Sequence, residues 1–110
     1  MSIFNFDNYL LMVINVQKYL SDTYNIPINM LKGKITIKSS NQYKIYNLSI
    51  LLSWLLHPTQ AYGSKSTIAR LHKCNMNRVH RLNSFYKNNN SFKSFVDKAI
   101  KDYKRNYASD

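Results

Sequence analysis

Asn77 and Arg81 stand four residues apart, a spacing that places both on one face of a helix. Each carries a planar fork of hydrogen-bonding groups. An Asn amide matches the edge of adenine and an Arg guanidinium that of guanine, so the pair suits base reading in the major groove of a duplex. Asn75, Met76 and His80 fall on or beside the same face and are the further candidates for base contact. Cations flank them: Lys65, Arg70, Lys73, Arg78 and Lys87 close by, and Lys32, Lys34 and Lys38 earlier in the chain. A cation needs only proximity to hold a backbone phosphate, so these eight are the candidate phosphate contacts.

Two helices joined by a tight turn must position that face, over about 66–87. Ile68 and Ala69 would sit on the first helix. Cys74 lies five residues after Ala69, Val79 ten after it, and Leu82 three further on. A helix-turn-helix uses this schedule. A small residue lets the helices approach, an apolar residue closes the turn, and two more on the second helix fix its angle. Many such units place glycine where Lys73 stands, so Lys73 is expected to take a left-handed conformation at some cost. A plain helical hairpin inside a bundle would show the same spacing. The polar, acid-free outer face favours the binding unit over it.

The charge balance agrees. The chain has 110 residues, 16 Lys and Arg against 5 Asp, no Glu, and a net charge of +11. Between Asp22 and Asp97 lie 74 residues without a carboxylate, and the two ends sum to about −1 and +1, so the excess sits in the middle of the chain. Such a centre attracts polyanions. The length fits one domain, 1–110, and an apolar fraction of 45% can bury a core. A single Cys excludes an internal disulfide and points to a reducing compartment.

Catalysis and metal binding have little to work with. Five scattered Asp residues without Glu offer no paired-carboxylate site, and neither a G-x-S-x-G elbow nor a phosphate-binding glycine loop occurs. His57, His72, His80 and Cys74 match no zinc spacing, and Cys74 reads as a small core residue. The chain is expected to be a non-enzymatic binder without metal or cofactor. The N-terminus lacks a basic region and a cleavage site, and the apolar run from Ile45 to Leu56 is too short to cross a bilayer, so no membrane partner is expected and a cytoplasmic, nucleoid-associated location is.

Helical periodicity runs through the rest. A first helix spans Asp7 to Tyr24, with Asp7 as its cap. A short second one spans Ile26 to Lys32, with Pro27 in its first turn and Gly33 as its stop. Lys34 to Lys38 alternates like a strand but has no partner, so a basic loop is favoured. Ser39, Ser40 and Asn41 supply caps for a central core helix carrying Ile45, Leu48, Leu51, Leu52, Leu55 and Leu56, ended by Pro58. A helix from Thr67 to His72, capped by Ser64 or Ser66, and one from Asn75 to about Lys87 follow. Lys87 to Ser91 reads as a connection, and a last helix runs from Ser91 to about Tyr107. Most Tyr and Phe fall at core spacing, while Tyr43, Tyr46 and Tyr62 are candidates for stacking on bases. The first helix is apolar on more than one face, which suits burial, with a homodimer interface as the alternative. The expected fold is all-α, a compact bundle of about six helices.

From about Val16 to Tyr103 this arrangement resembles the C-terminal DNA-binding domain of the bacterial replication initiator DnaA, in the Trp-repressor-like group. The segment VQKYLSDTYNIPINMLKGK follows that domain's opening helix and basic loop. Ile50 to Thr59 (ILLSWLLHPT) follows the end of its long helix, and a helix-turn-helix and a final helix come next in the same order. The family reads DNA with Gly-Arg-Asp-His-Thr-Thr-Val. Lys73 to Val79 here is KCNMNRV, keeping only the packing residue Val79. The resemblance implies double-stranded DNA as the partner, with Lys32, Lys34 and Lys38 on the backbone, in a replication or transcription regulator of a phage, plasmid or small genome. The alternative is a helical protein-interaction module whose basic face binds an acidic protein or a ribonucleoprotein, with RNA between the two.

Overall fold

Six helices follow one another: α1 (Phe6–Tyr24), α2 (Ile28–Leu31), α3 (Ser40–Leu56), α4 (Ser64–Leu71), α5 (Met76–Asn88) and α6 (Asn90–Asn106). The computed structural model describes residues 6–33, 40–56 and 64–106, and among them there is no strand. The expected all-α bundle is the observed one. The segment at 34–38, with Lys34 and Lys38, lies outside the described residues, as do Ser39, His57, Pro58 and Tyr62.

α3 is the axis of the bundle, and all five other helices pack against it. Past an exposed first turn with Asn41, Tyr43 and Lys44, the residues Ile45, Leu48, Ile50, Leu51, Leu52 and Trp54 are buried and occupy every side of the helix. Ser49 and Ser53 sit in the same core. Ser53 Oγ donates to the Ser49 carbonyl at 2.8 Å, so no hydroxyl is stranded there. α1 contributes Tyr9, Val13, Val16, Tyr19 and Leu20, and α6 contributes Val96, Ala99 and Tyr103. Leu10 and Ile14 are half-buried and Leu11 is 59% exposed, so the apolar surface of α1 is buried only in part.

α1 stops by a left-handed residue. Asn25 has φ 55°, and the Ile26 N–H reaches back to the Ser21 carbonyl at 3.2 Å. Asn tolerates that conformation better than most residues with a side chain, which explains an end before the proline itself. Pro27 stands at the N-cap of α2 instead of in its first turn: its ψ of 133° is extended, and its carbonyl accepts from the Met30 N–H. Asp7 likewise lies inside α1, one residue past the start.

The remaining departures concern α4 and α6. α4 begins at Ser64 and ends at Leu71, so Ser66 is a helical residue and His72 belongs to the turn. The polar run from Lys87 to Ser91 is almost wholly helical, with Asn89 alone between α5 and α6. Asn89 is extended, and its side-chain oxygen accepts from the Phe92 N–H at 2.8 Å. One Asn cap therefore replaces a loop, and the Phe85 and Phe92 rings pack across the joint at 4.8 Å. Tyr46 is a core residue and not a stacking platform: it is 6% exposed, and its hydroxyl donates to the His72 carbonyl at 2.6 Å.

Candidate nucleic-acid interface

The joint between α4 and α5 is built from four residues, His72 to Asn75. The Lys73 N–H bonds to the Arg70 carbonyl at 3.0 Å and the Cys74 N–H to the Ala69 carbonyl at 2.9 Å. This paired closure requires a left-handed residue just past the capping His72, and Lys73 supplies it with φ 56°. A side chain there is strained, so Lys73→Gly should raise the free energy of unfolding by about 0.5–1 kcal/mol in urea titration. A loss of stability would contradict this account of the turn.

Burial in the unit follows the sequence schedule. Ile68, Ala69 and Val79 are buried, and Cys74 and Leu82 are half-buried. Burial holds the Cys74 thiol above its usual range, so it stays protonated and packs as an apolar group. His72 locks the joint to α3. Its Nε2 lies 2.8 Å from Ser49 Oγ and its Nδ1 2.9 Å from the Ile68 carbonyl. A carbonyl only accepts, so Nδ1 carries the proton and Ser49 donates to Nε2. Burial lowers the ring's pKa to about 4, and both nitrogens are occupied within the fold.

Asn75 caps α5, its side-chain oxygen accepting from the Asn77 N–H at 2.7 Å. That cap sets where the helix starts, and so which residues face outward. Asn75, Met76, Asn77, His80, Arg81 and Ser84 are all exposed. α6 packs on the far part of α5, where Tyr86 donates to Asp97 at 2.6 Å, and leaves this face uncovered. The Lys65 ammonium, which can only donate, lies 3.0 Å from His80 Nδ1 and 5.0 Å from the Trp54 ring centre. The imidazole then offers Nε2–H as its outward donor.

The candidate phosphate contacts divide into two groups. Arg70, Lys73 and Lys87 are exposed and Lys65 half-buried. Arg78 is held by the protein instead: its guanidinium donates to the Tyr43 hydroxyl and, at 3.1 Å, to Asn47 Oδ1, and it stacks 5.2 Å from the Tyr43 ring centre. The bond to Arg78 draws the Tyr43 phenol below its ordinary range. Arg78 is thus a tie between α5 and α3. Asn47 was missed in the sequence, where its spacing of four from Tyr43 was the available signal.

The start of the basic segment touches the turn. Gly33 has φ 72°, and a Cβ there would lie 2.4 Å from the His72 carbonyl oxygen and 3.3 Å from Lys73 Cβ. Lys32 and Lys73 line one cleft of about 240 Å³ with Leu10, Ile14, Gln17 and Leu71. Gln17 is buried, and its amide donates to the Leu31 carbonyl at 3.2 Å, which fixes the path of the chain into that cleft. Two cations far apart in sequence therefore share one surface. Among the described residues no cluster of His, Cys, Asp or Glu could hold a metal ion, and no helix is long and apolar enough to cross a membrane. No protein-family model, curated protein or solved structure matches this chain.

Proposed function

We propose that this chain is a non-enzymatic binder of double-stranded DNA, with α4 and α5 acting as a helix-turn-helix and α5 lying in the major groove. The observation that carries the reading is the outer face of α5. Four side chains of base-reading type project from it, Met76, Asn77, His80 and Arg81, and all are exposed, with the capping Asn75 exposed beside them. Asn77 and Arg81 are the leading readers. Lys65, Arg70, Lys73 and Lys87, with Lys32 across the shared cleft, hold backbone phosphates. Arg78 orients α5 through Tyr43 and Asn47 and adds charge to the same surface.

The order of helices and the basic approach to the turn support a diverged relation to the initiator domain named above. They suit a replication or transcription regulator. The altered run from Lys73 to Val79 implies a target different from the family's own.

Arg81→Ala separates reading from holding. It should cost about 1–3 kcal/mol at a preferred site selected from random duplexes and much less at unrelated duplexes. Lys73→Ala should weaken all duplexes alike. An unchanged site preference in Arg81→Ala would remove α5 as the reader.

A further inference from the structure

The charge sum over the last fourteen residues hides a second cationic surface. Asp97 and Asp102 offset two of its four cations, yet in the fold Asp97 pairs with Lys93, and Asp102, which lines the cleft beside α6, is held by hydrogen bonds on both oxygens. Tyr86 donates to Asp97, and Tyr19 donates to Asp102 Oδ2 at 2.7 Å, while Asn106 Nδ2 donates to Asp102 Oδ1 at 3.0 Å. Lys98, Lys101 and Arg105 remain exposed, and among the described residues none of them makes an ion pair. Spaced by three and four residues, they form one ridge along α6.

The ridge borders an open cleft of about 410 Å³ between α6 and the C-terminal end of α1, into which the half-buried Tyr24 and Phe95 also face. Its volume is in the range that holds small organic groups. Lys98 to Arg105 spans seven residues, or about 10.5 Å at the rise of an α-helix. Three cations strung along that length suit the extended backbone of a strand better than one compact anion. With aromatic walls beside the cations, the cleft suits an unpaired base, which a duplex keeps inside its stack.

This surface is separate from the turn. α1 lines the cleft holding Lys32 and Lys73 with Leu10, Val13, Ile14 and Gln17, and the cleft beside α6 with Tyr19, Thr23 and Tyr24. The two clefts therefore take successive stretches of α1 and share no residue. From this placement we infer that Lys98, Lys101, Arg105, Tyr24 and Phe95 form a second site that takes a short run of single-stranded nucleic acid, phosphates on the ridge and a base in the cleft. It acts independently of α5.

The test is the anisotropy of a labelled oligothymidylate of about ten nucleotides, with and without saturating duplex. The triple variant Lys98→Gln/Lys101→Gln/Arg105→Gln is compared with the wild type. The three residues are exposed, so their loss removes no packing, and circular dichroism checks the fold. Strand affinity should fall about tenfold or more, and its salt slope should flatten by about 2, at about 0.7 per phosphate. Duplex affinity should change less than about twofold, and the strand should stay bound when duplex is present. The inference is overturned if the wild type does not bind the strand, if the variant binds it equally well, or if duplex displaces it. Strand binding that depends on the ridge in a protein that ignores duplex would support this site and overturn the α5 reading alone.

Discussion

Duplex affinity should fall by about 10³-fold when salt is raised from about 50 to about 200 mM. The size follows from the number of cations on one surface. Lys32, Lys65, Arg70, Lys73 and Lys87 face solvent fully or in part around α4, the turn and α5. Each neutralised phosphate adds about 0.9 to the slope of log affinity against log salt. Five contacts therefore give a slope of about −4.5, and contacts from Lys34 and Lys38 steepen it to about −6. No acid interrupts the stretch from Asp22 to Asp97, so nothing on it repels a phosphate. An acidic protein partner would give a different result: weak duplex binding with a shallow slope, and tight binding to the protein instead. A duplex slope near zero rules out the DNA reading.

Gly33→Ala should destabilise the fold by about 2–5 kcal/mol. Two costs add. The backbone at Gly33 is left-handed, with φ 72°, which costs a residue with a side chain about 1–2 kcal/mol. The new Cβ would also stand 2.4 Å from the His72 carbonyl oxygen, a backbone atom that already accepts from the Tyr46 hydroxyl. Relieving that contact moves the turn or breaks the buried bond, at about 1–3 kcal/mol. The half-buried Lys32 next to it provides the control, since Lys32→Ala should change stability by no more than about 0.5 kcal/mol. Urea titration reads both, and an unchanged midpoint in Gly33→Ala would mean that the chain does not pass the turn as described.

Much of the candidate site could be read along the chain, because it depends on local rules. The Asn75 cap, the buried Ile68, Ala69 and Val79, and a left-handed Lys73 each follow from spacing and backbone chemistry within one turn of helix. The outward face of α5 follows from them by geometry. What escaped depends on contacts between distant segments. Arg78 looked like one more free cation, and nothing near it in sequence shows that Tyr43 and Asn47 hold it. Gly33 read as a helix stop, yet its role lies against His72. The ridge on α6 was lost in a sum, since net charge does not say which way Asp102 turns. The run of three Asn residues looked like a loop because Asn is common in loops. Here Asn89 ends one helix and caps the next within a single residue.

The most direct measurement is a titration of ¹⁵N-labelled protein with a duplex carrying its selected site, followed by amide chemical shifts. The account predicts that the largest changes fall on 75–84, with smaller ones on Lys65, Arg70, Lys73 and Lys32. Changes confined to α6 and the end of α1, with 75–84 unmoved, would contradict it.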